Sequence, residues 1–248
     1  MSSPKKIVFI HIPKTAGTSL RGLIETNYAK GERQAVYSRE NLDQVLTDAL
    51  ADPKIKCIYG HFPLRPVIAE SDAFVFTMLR EPIARSISHY NHYMSGHEPK
   101  HREVFGHVKS PEDFGKMVHS YNRQSVNVSG FLNRNKQILP DDVVWEQAMI
   151  NLERINAVLF TEYYAESIAY LGEVLEWKNT PVEFRNRGSR KEIGHRTAWE
   201  AMNTTDLKLY ELCLKRYLPE LMKYSNVKPK IHWKYRIKRY LRDLSSKF

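Results

Sequence analysis

Three groups of residues in this chain have types and spacings that could do chemistry. The first is Pro13-Lys14-Thr15-Ala16-Gly17-Thr18-Ser19, which combines a lysine, a glycine and three hydroxyl groups. It follows the strand candidate Lys6-Ile7-Val8-Phe9-Ile10 and precedes Leu20, Leu23, Ile24 and Tyr28, which share a helical face. A loop between a strand and a helix binds phosphate, because N–H groups in the loop and at the helix start point at the anion. Gly17 lets the backbone approach closely, Lys14 adds a mobile charge, and Thr18 and Ser19 supply hydroxyls that can cap the helix. The nucleotidase pattern GxxxxGK[ST] is absent, since the lysine comes three residues before the glycine. The loop is expected to cradle an anion, but not ATP with magnesium.

The second group is Leu79-Arg80-Glu81-Pro82-Ile83-Ala84-Arg85-Ser86-Ile87-Ser88-His89-Tyr90. Arg80 ends a β-rich run, Ala73 to Leu79, and Pro82 opens a helix, as proline does at a first turn. Arg80 and Ser88 can therefore face one crevice at the carboxyl edge of a sheet. A guanidinium fork suits a terminal phosphate, which offers paired oxygens. Cations are disfavoured at a helix N-terminus, so arginines placed there hint at a bound anion. Arg85 has a plainer alternative, an i, i+4 pair with Glu81. The third group is Gly60-His61, directly after the short apolar run Lys56-Cys57-Ile58-Tyr59. An imidazole is the side chain best suited to take a proton near neutral pH. His11, just past the first strand, is its rival and is expected to play a structural or supporting role. His89-x-x-His92 with His97, His101 and His107 invites a metal reading, but no cysteine or well-spaced carboxylate accompanies them, and a surface His-rich loop is the better account.

These groups need elements to hold them. Short apolar runs alternate with helical patterns, which is the mark of an α/β fold with a parallel sheet. Ala157-Val158-Leu159-Phe160 is a further buried strand, followed by a helix from about Tyr163 to Glu176. Pro140-Asp141-Asp142 reads as a helix start with acids at the positive end of the dipole. Leu207, Tyr210, Leu214, Tyr217 and Leu218 form a late helical stripe that ends near Pro219. The chain has 248 residues and 42% hydrophobic content, enough for one sizeable core and too apolar for disorder as the main state. Two cysteines, Cys57 and Cys213, fit a reducing compartment better than a disulfide scaffold. No run approaches the roughly 20 apolar residues of a membrane helix, and the start is too short in apolar residues for a signal-peptide core, so the expected location is cytoplasmic.

The first group resembles the 5′-phosphosulfate loop of sulfotransferases that use 3′-phosphoadenosine 5′-phosphosulfate (PAPS). The opening His11-Ile12-Pro13-Lys14-Thr15 is similar to the carbohydrate branch, the heparan sulfate 2-O-sulfotransferase-like enzymes, and to its bacterial relatives. The second group is similar to the family's 3′-phosphate element, LR-D/E-P-xx-R-xx-S-x-Y. The resemblance covers most of Ile7 to about Tyr224. It implies a P-loop-type three-layer α/β fold, with a central, mainly parallel sheet flanked by helices. It also implies that Lys14, Thr15, Ala16, Gly17, Thr18 and Ser19 hold the phosphosulfate and that Arg80 and Ser88 hold the 3′-phosphate. His61 matches the branch's general base, and Lys14 would stabilise the leaving phosphate. Arg187, Gly188, Ser189 and Arg190 lie where relatives place a loop over the adenine and 3′-phosphate. The segment from Asn122 to Gly130 is similar to one that often carries an arginine where this chain has Asn127, which bears on acceptor contacts. Phe160 to Ser167 resembles a structural family segment in which Thr161 or Glu162 starts a helix. The implied reaction is metal-independent sulfuryl transfer from PAPS to a hydroxyl of a saccharide or glycolipid.

The formal charge is +10, and residues from Lys228 to Phe248, with eight basic residues against Asp243, carry +7 of it. The division expected is a sulfotransferase domain over 1–227 and a basic helical tail over 228–248. That tail mixes Trp233, Tyr235, Ile237, Leu241 and Leu244 with cations; the short stripe favours a terminal helix packed on the domain with its charges solvated, and peripheral contact with an anionic membrane surface is the alternative. Two rival functions remain on the residues alone. A nucleotide or sugar kinase of the same fold is disfavoured by the missing Walker lysine and by the Arg80/Ser88 element. A nucleic-acid-binding protein using the tail is disfavoured because nothing in the core needs nucleic acid.

Overall fold

The structure is a computed structural model, and it describes residues 6–38, 40–94, 104, 108, 110–118, 120–131, 139–180 and 196–225. The apolar runs become β1 (Ile7–Ile10), β3 (Cys57–Gly60), β4 (Phe74–Leu79) and β5 (Ala157–Phe160), joined by β2 (Arg33–Val36). All neighbours pair in parallel, in the order β2-β3-β1-β4-β5. The four apolar strands are buried almost throughout, as strands covered on both faces must be. Helices flank this sheet, giving the expected α/β architecture. They are α1 (Gly17–Asn27), α2 (Leu42–Ala51), α3 (Pro66–Ala69), α4 (Pro82–Met94), α5 (Pro111–Val118), α6 (Arg123–Val128), α7 (Asp141–Leu152), α8 (Tyr164–Val174), α9 (Arg196–Ala201) and α10 (Thr204–Met222).

The main core joins the strands to Leu20, Leu23 and Ile24 of α1, Leu46 of α2, Ile168 and Leu171 of α8, and Leu209 and Cys213 of α10. A second, smaller core of Phe114, Trp199 and Met202 packs on Ile83, Ile87 and Tyr90. It fixes the outer face of α4, the helix that follows Arg80.

Two local expectations differ from the structure. Helix α10 does not stop near Pro219 but runs through it to Met222. Pro219 lies in the last turn, where its missing N–H costs one hydrogen bond, and Leu221 beyond it is still buried. Thr18 and Ser19 do not cap α1. Its cap position is Ala16 in the left-handed region, so both hydroxyl residues sit inside the first turn. Residues 181–195 and 226–248 lie outside the described residues, and with them Arg187, Gly188, Ser189, Arg190 and the basic tail. His97, His101 and His107 do as well.

Candidate active site

The strand order makes β1 the pivot. Chain from β1 travels to one side for β2 and β3, and to the other side for β4 and β5. Loops leaving the carboxyl ends of β1 and β4 therefore diverge from one crevice, which is where open α/β sheets bind ligands. Lys14 and Arg80 stand on those two loops.

The β1–α1 loop turns sharply, with Lys14 at φ 75° and Ala16 at φ 61°, two non-glycine residues in the left-handed region. Such positions are uncommon and need outside support. Thr15 gives part of it, because its buried hydroxyl donates to Ile12 O at 2.8 Å. Arg80 gives the rest, since its Nη1 donates to Lys14 O at 3.2 Å. Gly17 then opens α1, Thr18 is exposed and Ser19 is buried.

Arg80 is itself held by its backbone. Its N–H donates to Gln124 Oε1 at 2.9 Å, and Gln124 Nε2 donates back to Arg80 O at 2.9 Å. Glu81 next to it caps α4, accepting from the N–H groups of Ile83 and Ala84 at 3.2 and 2.7 Å. Its carboxylate is thus spent on the helix start. The alternative pairing of Glu81 with Arg85 is not what the structure contains. The Arg85 guanidinium is fully buried and donates to the hydroxyls of Ser86 and Ser120 at 3.0 and 2.9 Å. Ser88 lies two turns into α4 and is half-buried.

Lys14, Arg80 and Arg85 bring three cations together here, with Glu81, Glu162 and Asp206 nearby. Burial, and then the neighbouring Arg80 guanidinium, lower the Lys14 ammonium from its ordinary range. Burial pushes Arg85 down to about 10, with Arg80 adding to the effect against the pull of Asp206. Burial holds His89 well below its usual value, helped by Arg85, Arg123 and Lys14. The nearby carboxylates are already committed. Asp206 accepts from the N–H groups of Gln124 and Ser125 at 3.0 and 2.7 Å, and Glu162 accepts from Glu81 N at 3.0 Å and Tyr210 OH at 2.8 Å. Burial raises both acids. Mutual repulsion among these cations is relieved by an incoming anion.

The histidines occupy the adjacent edge. Val36, Gly60 and Ile10 are one row of paired residues across β2, β3 and β1. The residues one step further along are Tyr37, His61 and His11, and their row is continued by His61 N–H to Val36 O at 3.1 Å and His11 N–H to Gly60 O at 2.9 Å. Gly60 is glycine because the β2 backbone crowds it: a Cβ there would lie 1.7 Å from Val36 O. The His61 ring lies 4.4 Å from that of His11 and 4.8 Å edge-on to that of Tyr37, centroid to centroid. Burial, with His61 and Arg21 nearby, pushes His11 down to about 3, so His11 is neutral at working pH. His61 is half-buried beside exposed Tyr37, and its Nε2 is itself buried.

Sequence reasoning missed Gln124, Asn122, Asp206 and the burial of Arg85. Asn127, the departure from the family pattern, is buried and turned back on its own helix, its Nδ2 donating to Arg123 O at 2.7 Å. No group of three or more metal-ligating side chains occurs among the described residues, and no described helix is long and apolar enough to cross a membrane.

Fold and site together define an α/β protein with a parallel sheet whose carboxyl edge gathers Lys14, Arg80, His61 and His11. The chain belongs to the sulfotransferase family, whose model matches residues 1–217. Among solved structures it is similar to the mouse sulfotransferase SULT7A1, crystallised in complex with PAP. Identity is 13% over 100% of this chain and 91% of that chain, with a TM-score of 0.45. No curated protein matches it.

Proposed function

We propose that this chain moves a sulfuryl group from PAPS to a hydroxyl of a saccharide or glycolipid acceptor, as in the heparan sulfate 2-O-sulfotransferase-like branch. The observation that carries this reading is the junction of Arg80 and Lys14 at the pivot of the sheet. Two like charges are held together there, one lowering the other, in a family that transfers sulfate. PAPS supplies a sulfuryl group activated by a phosphate leaving group. The loop from Lys14 to Ser19 takes the 5′ end, with backbone N–H groups and the start of α1 facing the anion. Arg80, and Ser88 on α4, take the 3′-phosphate, and Arg187, Gly188, Ser189 and Arg190 belong to its cover. His61 accepts the acceptor's hydroxyl proton as the new S–O bond forms, and Lys14 meets the charge that develops on the departing phosphate oxygen. The catalytic body is 1–227, followed by a basic tail over 228–248 that packs on the domain with its charges solvated or, in the alternative reading, meets an anionic membrane surface.

Calorimetry with 3′,5′-ADP (PAP) against ATP–magnesium tests the donor. PAP should bind and ATP–magnesium should not, and Arg80→Ala should weaken PAP by about 2 kcal/mol or more, the worth of a charge-assisted phosphate contact. Preference for ATP–magnesium would move the chain to the kinase reading. His61→Ala should keep PAP affinity and lose transfer by ~10²- to 10⁴-fold. Transfer at the wild-type rate would take the base role from His61.

A further inference from the structure

The anion loop and His61 are bridged by a single side chain. His11 follows β1, is buried, and lies stacked on Phe9 at 5.5 Å, which itself stacks on Phe76 at 5.1 Å. The ring therefore has a firm floor. On one side it meets the start of α1: a Cβ built on Gly17 would lie 1.7 Å from His11 Nε2 and 2.0 Å from Cδ2. On another it meets His61, with ring centroids 4.4 Å apart and planes inclined at 59°. His11 Nδ1 has no hydrogen-bond partner among the described residues, so packing, not a bond at that atom, orients the ring. Close-packed groups transmit displacement, because a gap of half an ångström already forfeits much of the contact energy.

We propose that His11 is a positioning residue that couples the loop at Gly17 to the imidazole of His61. Movement of the Gly17 backbone shifts the His11 ring, and the His11 ring sets where His61 stands. Occupation of the loop by the donor thereby places the base. This rests on the reading of Lys14 to Ser19 as the donor loop and of His61 as the base, and it gives Gly17 a second reason to be glycine. A side chain there would evict the His11 ring as well as crowd the anion. Because burial keeps His11 uncharged, it can touch an imidazole that must gain a proton without repelling it.

The test is NMR of the full-length chain carrying isotope-labelled histidine, with the His61 signal assigned by its loss in His61→Gln. Saturating PAP should move the His61 signal in the wild type. His11→Asn keeps the near atoms of the ring and removes Nε2 and Cε1, two of the three ring atoms that crowd Gly17. It should bind PAP within about threefold of the wild type, yet its His61 signal should hardly respond. Gly17→Ala should displace the His61 signal with no nucleotide present. A full response in His11→Asn, an unmoved signal in nucleotide-free Gly17→Ala, or a wild type that binds PAP without moving His61 would each overturn the coupling. A wild type that gives no calorimetric binding of PAP would instead remove the donor reading. The Gly17→Ala comparison, made without nucleotide, would still decide the link between Gly17, His11 and His61.

Discussion

Lys14 occupies a place where its own charge is disfavoured. Half-buried next to Arg80, its ammonium loses its proton at lower pH than an ordinary lysine. An anion between the two cations reverses that penalty, so anion binding and protonation of Lys14 support each other. Affinity for PAP should accordingly be full below the lowered pKa of Lys14 and decline as pH rises through it. In Lys14→Met the affinity should be weaker throughout and flat over that range. Calorimetry in buffers of differing ionisation heat reads the coupled proton directly, and equal pH slopes in both proteins would show that Lys14 does not touch the anion. The lysine was legible in the amino-acid sequence because loop, glycine and hydroxyls are contiguous. The burial of Arg85 was not. Whether an arginine at that spacing faces solvent or Ser120 depends on the link between α5 and α6, which brings Ser120 to it from 35 residues along the chain.

At the scale of elements, the N-termini of α6 and α10 satisfy each other. Asp206 accepts from two N–H groups and the Ser125 hydroxyl at the start of α6, while Asn122 Oδ1 accepts from Thr205 N and Asp206 N at 2.9 and 3.1 Å. Four orphan donors are thereby paired across 80 residues of sequence. The consequence reaches the anion site, since Gln124 of α6 grips both backbone polar groups of Arg80. Gln124→Ala should weaken PAP binding while leaving nucleotide specificity intact, and Gln124→Glu, which keeps the acceptor and loses the donor, should fall between. Unaltered PAP binding in Gln124→Ala would mean that Arg80 is fixed by other contacts. Local pattern could not announce this, because caps made across the fold leave no periodic trace. For the same reason β2 escaped notice: among the described residues it is an edge strand, Arg33-Gln34-Ala35-Val36, with one buried residue in four. The buried strands β1, β3, β4 and β5 were readable from short apolar runs, to within a residue at their ends. The row of Tyr37, His61 and His11 needed the register between strands, which no single run contains.

For the whole molecule, the burial of neutral histidines ties stability to acid. His11 is pushed down to about 3 and His89 well below its usual value, both by burial first. In the unfolded chain each takes a proton near pH 6.5. The folded state therefore holds their full contribution above about pH 6.5 and loses it as pH falls toward the folded values, by up to about 1.4 kcal/mol per unit for each group. Urea unfolding from pH 7 to pH 5 should show a steeper loss for the wild type than for His11→Asn. Identical slopes would mean that His11 is protonated in the fold.

Strand β1 has a paired neighbour on each side, and all four of its residues are buried. Its amide hydrogens can meet solvent deuterium only when the sheet comes apart on both flanks, so they should be among the last in the chain to exchange. The loop from His11 to Ala16 is the direct continuation of that strand, whereas Tyr37 continues β2, which among the described residues is paired on one side alone and should exchange earlier. Over one row of three side chains, protection from exchange should thus rise from the edge of the described sheet at Tyr37 to its interior at His11.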